Sequence, residues 1–328
     1  MKPESKIYVA GHLGLVGSSI MRSLKKKGYI NLLTRTHAEL DLLNQDAVSS
    51  FFAMEKPDYV FLAAAKVGGI GANSTYPVKF LFQNTLIGFN VINAAYTVGV
   101  KKLMNLGSTC IYPKMASQPI KENSLLTGLL EPTNEAYALA KISVIKLCTA
   151  YNKQYDTNFL SVMPTNLYGI GDNYDIENSH VLPAMIRKFH EAKLSGINKV
   201  ILWGDGSPLR EFLYSDDLAD AVVYPMEHNN AQDLRNGAGD FINIGSGQEV
   251  TIKELAEIIR AIVYENEFKN CIQSPDMVCR ITWDVSKPNG TPRKLCDISR
   301  LLSLGFTPSM TLNEGIKKSY MDFLKTNY

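Results

Sequence analysis

A phenol and an amine stand four residues apart at Tyr137 and Lys141, in the run Tyr-Ala-Leu-Ala-Lys. On a helix that spacing puts both on one face, about one turn apart. A lysine cation lowers the cost of a phenolate and can hold a nicotinamide ribose, so the tyrosine could exchange a proton with a carbonyl or alcohol oxygen while a hydride moves. Ser108 lies just past residues 102–106, which read as a buried strand. A hydroxyl at such a strand end, where open α/β sheets bind their ligands, could share the substrate oxygen. Together Ser108, Tyr137 and Lys141 point to redox chemistry at a carbonyl. Cys110 lies two residues beyond the serine, and His180 precedes the segment Val181 to Ile186. A thiol and an imidazole titrate close enough to neutrality to serve as base and acid when oriented. Read singly, the cysteine could also be a small buried apolar residue and the histidine an ordinary polar residue ahead of a helix.

These groups need a scaffold that brings strand ends together. Residues 6–10 form a β-favouring run, followed at once by Gly11, Gly14 and Gly17 in GxxGxxG spacing, then Ile20, Met21 and Leu24 at helical intervals, with Gly28 as a stop. Strand, tight glycine turn and helix in that order predict a dinucleotide site, because missing β-carbons admit a pyrophosphate to free helix N–H groups. Further strands are predicted at 30–33, 59–65 and 102–106, with a helix over 90–98 between the last two. The alternation predicts an α/β fold, a doubly wound parallel sheet. Arg35, at the end of the second strand, offers a fork for a ribose 2′-phosphate and so favours NADP; Asp41 could touch adenosine or cap a turn. Beyond Pro164 turn formers multiply, and Thr251/Glu254 and Thr311/Glu314 form capping-box signatures. The expected organisation is a Rossmann domain over 1–167, to which the chain returns at about 212–240, and a smaller, discontinuous α/β substrate domain over 168–328.

Composition excludes several other classes. In 328 residues, 34 Lys and Arg against 32 Asp and Glu leave a formal charge of +2, with no basic block to suggest a nucleic-acid partner. Apolar runs such as residues 60–65 fall far short of the roughly 20 needed to cross a bilayer. The five cysteines, Cys110, Cys148, Cys271, Cys279 and Cys296, are scattered without a CxxC pair, which argues against a disulfide scaffold or a thiolate metal site. The N-terminal residues carry no signal-peptide stretch, and the expected location is cytoplasmic.

Several blocks, in order along most of the chain, carry a resemblance: AGHLGLVG at 10–17, AAAKVGGIGAN at 63–73, LGSTCIYPK at 106–114, EPTNEAYALAK at 131–141, SVMPTNLYG at 161–169, SHVLPA at 179–184, WGDGSPLREFL at 203–213 and KPNGTPRK at 287–294. On these motifs the chain resembles the GDP-L-fucose synthase family of extended short-chain dehydrogenase/reductases. The resemblance implies NADPH-dependent conversion of GDP-4-keto-6-deoxy-D-mannose to GDP-L-fucose by a homodimer. It implies reduction by Ser108, Tyr137 and Lys141, with Cys110 and His180 as epimerisation base and acid. Implied NADP contacts are Gly11, His12, Leu13, Gly14, Leu15, Val16, Gly17, Arg35, Leu106, Gly107, Ser108, Thr109, Lys141, Pro164, Thr165, Asn166, Leu167 and His180. Implied GDP-sugar contacts are Lys188, Trp203, Arg210, Asn289 and Lys294, and no metal is implied. Three positions depart from the family pattern: Leu13 and Lys188 stand where it has arginine, and Asn289 where it has aspartate. A nucleotide-sugar 4-epimerase would spend no cofactor, a 4,6-dehydratase would need a carboxylate where Thr109 and Cys110 stand, and a dinucleotide-sensing module would not need the Ser108, Tyr137 and Lys141 set.

Overall fold

The structure, a computed structural model, describes residues 1–176, 179–265, 278–287 and 289–327; Cys271 lies outside them. Its strands are β1 (Ile7–Ala10), β2 (Leu32–Leu33), β3 (Tyr59–Leu62), β4 (Lys102–Leu106), β5 (Phe159–Pro164), β6 (Asn166–Tyr168), β7 (Lys199–Trp203), β8 (Leu209–Tyr214), β9 (Arg235–Asn236), β10 (Gly239–Ile244), β11 (Glu249–Thr251), β12 (Arg280–Asp284) and β13 (Arg293–Lys294). The principal helices are α1 (Leu15–Lys26), α2 (Gln45–Glu55), α3 (Ile70–Thr75), α4 (Pro77–Thr97), α5 (Glu135–Tyr155), α6 (Val181–Leu194), α7 (Ser215–His228) and α8 (Ile252–Val263).

A seven-stranded sheet in the order β2-β1-β3-β4-β5-β10-β9 forms the larger layer. Its pairings are parallel except for the β10–β9 edge. Both faces are covered, and β1 shows why its sequence does not alternate: Ile7 and Val9 pack with Ile20 and Leu24 of α1 and Leu218 and Val222 of α7, while Tyr8 and Ala10 pack with Val48 and Phe52 of α2 and Val91 and Ile92 of α4. A strand buried on both faces needs no polar side. Residues beyond β8 thus complete the first layer, since α7 seals α1 and β10 pairs with β5.

Short strands build the substrate side. β8 pairs with β6 and β13 in parallel and with β11 antiparallel, and β7 pairs with β12. A second core, including Phe189, Leu202, Phe212, Leu255 and Ile259, lies among α6, β7, β8 and α8. The Thr251/Glu254 capping box forms as predicted. Three predicted elements differ in extent, β3 ending at Leu62 rather than at 65. β2 is reduced to Leu32–Leu33, and α4 begins at Pro77, thirteen residues before the predicted start. Val78, Leu81 and Phe82 on its outer face are exposed, which blurs the one-sided apolar periodicity from which a helix is read.

Candidate active site

The C-terminal strand ends of the large sheet open into one cleft of about 680 Å³. At its first end, Gly11 has φ +82°, and a β-carbon there would lie 2.7 Å from the Ala64 nitrogen; one on Gly17 would drive into the Gly11 carbonyl. Gly14 caps α1 without a side-chain acceptor, so the first-turn N–H groups remain for an anion, the donor set a pyrophosphate requires. Arg35 is already engaged. Its guanidinium donates to Glu55 at 2.7 Å and to the Thr34 carbonyl at 2.8 Å, and lies 5.3 Å above the Phe51 ring. The fork is held in place with donors to spare. Asp41 accepts from the Leu43 N–H at 3.0 Å, the turn-capping role, and also lines the cleft.

At the centre, β4 delivers Ser108, whose hydroxyl accepts from the Cys110 N–H at 3.3 Å and caps the tight turn Thr109–Ile111. α5 presents Tyr137 and Lys141 on one face, the ammonium 5.7 Å above the phenol ring and donating to the Leu106 carbonyl at 2.8 Å. Phe80 of α4 meets Tyr137 edge-on at 6.1 Å. Burial pushes the Tyr137 phenol up, holding it protonated, and pulls Lys141 down to about 8. It also pushes the Cys110 thiol up, against the opposing pull of Lys294, Ser108 and Lys141. His180, the N-cap of α6, has an edge open to the cleft. Protein packed about its ring, and then the Lys294 charge, pull its pKa down. The resting pair is a thiol and a neutral imidazole.

The cleft wall includes Gly11, Gly14, Leu15, Val16, Gly17, Arg35, the 106–109 strand end, Tyr137, Lys141, the 164–167 segment, His180 and Lys294. Cys110, His12 and Leu13 stand off it, Cys110 being buried and Leu13 73% exposed. Lys188, Trp203, Arg210 and Asn289 are likewise not brought to this wall. Lys188 donates to the Ile201 carbonyl at 3.4 Å, and the Asn289 side-chain carbonyl accepts from the Asp205 N–H at 2.9 Å. Trp203 is exposed beneath the Lys287 ammonium, and Arg210 neighbours Lys294 across the β8–β13 pairing.

Other supports were not legible in the motifs. Asn84 of α4 accepts from the Lys66 N–H at 2.8 Å and donates to the Lys66 carbonyl at 3.0 Å, fixing the loop beyond β3 that walls the cleft. Asn73 of α3 donates to the Gly68 and Gly69 carbonyls at 2.8 and 3.0 Å. Asp172, also on the wall, has one buried oxygen without a partner, and burial raises its carboxyl to about 7. Neither the two asparagines, set among polar neighbours such as Gln83 and Ser74, nor Asp172 leaves a signal in the sequence.

A sequence profile described as the NAD dependent epimerase/dehydratase family matches residues 7–245. The chain is 55% identical to a putative GDP-L-fucose synthase 2 of Arabidopsis thaliana, covering 99% of this chain and 93% of that one. It is 48% identical to the GDP-L-fucose synthase of Escherichia coli strain K12, covering 98% and 97%. The chain belongs to the GDP-L-fucose synthase family. Among solved structures, a GDP-mannoheptose C4 reductase from Campylobacter jejuni with NADP bound matches it at TM-score 0.88 and 38% identity, over 99% of each chain. As in other members of this family, the fold is the extended Rossmann type with a second, smaller unit. None of the described helices is long and apolar enough to cross a membrane.

Proposed function

We propose that this GDP-L-fucose synthase family member converts GDP-4-keto-6-deoxy-D-mannose to GDP-L-fucose, inverting sugar carbons 3 and 5 and then reducing the ketone at carbon 4. One observation carries the reading: Ser108, Tyr137, Lys141 and His180 line the same cleft as an uncapped glycine turn, with Cys110 packed against Ser108. NADPH, held by the α1 turn, Arg35, the 106–109 strand end, Lys141 and the 164–167 segment, supplies the hydride when bound. The NADP-bound Campylobacter reductase, 38% identical, supports that choice of cofactor.

The residues divide the work as follows. Protons on carbons 3 and 5 flank the ketone, so removing either leaves an enolate whose charge the Ser108 and Tyr137 hydroxyls can stabilise. Cys110 takes the proton from one face and His180 returns one from the other. The working form, thiolate with imidazolium, carries the same number of protons as the resting thiol and imidazole, so reaching it needs no net proton uptake or release. In the reductive step Tyr137 gives its proton to the carbon-4 oxygen, and the adjacent Lys141 ammonium offsets the phenolate left behind. Lys188, Trp203, Arg210, Asn289 and Lys294 complete the GDP-sugar contacts from the substrate side.

The organisation that serves this chemistry is an NADP-binding unit over 1–167, rejoined by the later chain at about 212–240, and a GDP-sugar unit over the rest of 168–328. Exposed Val78, Leu81, Phe82 and Phe89 on α4 support a homodimer formed through a helix pair of the first unit. Among the described residues, four free, buried cysteines support a cytoplasmic setting. The test is incubation with the keto sugar and NADPH in heavy water. The expected result is NADPH consumption with deuterium at carbons 3 and 5 of a doubly inverted product. Reduction without carbon-bound deuterium would reassign the protein as a reductase alone, and exchange without NADPH loss as an epimerase.

A further inference from the structure

One strand brings an additional charge to the proton-transfer pair. The segment following β13 is clasped from two sides. On one side it is tied to the loop beyond Cys110: the Gln118 amide accepts from the Leu295 N–H at 2.8 Å and donates to the Arg293 carbonyl at 3.2 Å. The Ile120 N–H then donates to the Leu295 carbonyl at 2.8 Å, and the Asp297 N–H to the Ile120 carbonyl at 2.9 Å. On the other side the Cys296 N–H donates to the Glu211 carboxylate at 3.0 Å, and Lys294 is registered opposite Arg210. Lys294 is thereby fixed in the wall of the cleft that holds Ser108, Tyr137 and His180.

The charges around these groups are few. Cys110 packs with Tyr137 and is capped by Ser108, and the Lys294 and Lys141 charges oppose the burial that pushes its thiol up. Burial pulls the Lys294 ammonium down, the neighbouring Cys110, Cys296 and Glu211 oppose that pull, Arg210 adds to it, and the Lys294 charge reaches His180. Glu211 commits its carboxylate to the Gly247 N–H at 2.7 Å and to the Cys296 N–H. We propose that Lys294 is a positioning residue for the Cys110/His180 pair, its ammonium favouring negative charge on the sulfur and opposing positive charge on the imidazole. This role rests on the proton-transfer reading above and is separate from contacting the GDP-sugar.

Its signature is directional. Removing the ammonium takes away a partner of the thiolate and also a neighbour that disfavours the imidazolium, so both titrations move to higher pH. A pH profile governed by the pair therefore moves upward as a whole, both limbs together. A structural loss lowers the profile without displacing it.

The test uses the full chain carrying Lys294→Met, with Lys294→Gln as a second charge-removing variant and Lys294→Arg as the conservative one. Thiolate absorbance near ~240 nm is titrated without sugar, the Cys110→Ser titration being subtracted to isolate one thiol. Deuterium incorporation at carbons 3 and 5 is then measured against pH at saturating keto sugar. The expected result is a thiolate midpoint and an exchange profile both raised by about one pH unit in the methionine and glutamine variants. Lys294→Arg should restore both. An unmoved midpoint in a variant that keeps its circular dichroism overturns the proposal, as does an arginine variant displaced as far as the methionine one. A displaced midpoint, with exchange intact in Cys110→Ser, supports the coupling of Lys294 to the thiol and instead removes the base assignment from Cys110.

Discussion

The two ends of the cleft are made of different material. The dinucleotide end is backbone: Gly11 at positive φ, Gly17 pressed on the Gly11 carbonyl, and the uncapped first turn of α1, all within seven residues of sequence. At the catalytic end side chains do the work, drawn from β4, α5, the start of α6 and β13, positions 108 to 294. A backbone site tolerates almost no added atom but is indifferent to distant sequence. A side-chain site accepts conservative replacements in shape and fails when one titratable group is lost.

The sharpest way to separate the two ends is Tyr137→Phe. The ring and its edge contact with Phe80 remain while the transferable proton goes, so the reduction rate should fall by about 10²- to 10⁴-fold with NADPH affinity nearly unchanged. Single-turnover reduction and cofactor titration check this, and near-normal NADPH consumption would overturn the Tyr137 assignment. Gly17→Ala should do the reverse. A β-carbon that meets the Gly11 carbonyl forces the turn apart, costing on the order of 1–3 kcal/mol or more, and the loss should appear in NADPH affinity rather than in the rate at saturation. Equal affinity in the alanine variant, measured by calorimetry, would show that the turn is not where the dinucleotide sits.

Asp172 offers a test through stability. Burial raises its carboxyl to about 7, so the folded chain binds this proton more tightly than the unfolded one. Its favourable contribution is complete below about pH 4 and is lost as pH rises toward 7, where the carboxylate must be buried. Asp172→Asn should therefore stabilise the fold by about 2 kcal/mol at pH 8, with no gain at pH 4. Denaturant melts at the two pH values decide it, and an equal effect at both would show that ionisation is not the cause. The smallest effect expected is that of Arg35→Ala. Glu55 already offsets part of the guanidinium charge, so NADPH should weaken by about 1 kcal/mol, roughly five- to tenfold, while NADH is spared. Equal losses with both cofactors would detach Arg35 from the 2′-phosphate.

Legibility in the sequence follows the same division. The glycine turn, the Tyr137/Lys141 pair and the parallel sheet were readable because each depends on spacing within one element or on runs of buried strand residues. The grip of Glu55 on Arg35 crosses 20 residues and that of Asn84 on the 66 loop 18, and neither leaves a periodic trace. Lys294 reaches the cleft only because Gln118, Ile120 and Glu211 hold its segment. Cys110, His12, Leu13, Lys188, Trp203, Arg210 and Asn289, whose site roles rest on the resemblance, stand off the cleft wall. A family motif specifies which residues recur, whereas the wall of a cavity depends on where neighbouring segments lie.

The packing of α7 on α1 also bears on how the protein is made. Arg22 meets Asp216, Ser23 donates to Asp220 at 2.6 Å, and Lys27 and Tyr29 both reach Glu227, while Ile20 and Leu24 bury against Leu218 and Val222. The helix that begins at the dinucleotide turn is thus roofed by chain synthesised some 200 residues later. During translation at about 5–20 residues per second, that apolar face stays uncovered for roughly 10–40 s after α1 has emerged. Over that interval the nascent chain has a nucleotide turn but no finished floor beneath it, and it presents to chaperones the surface that α7 will later claim.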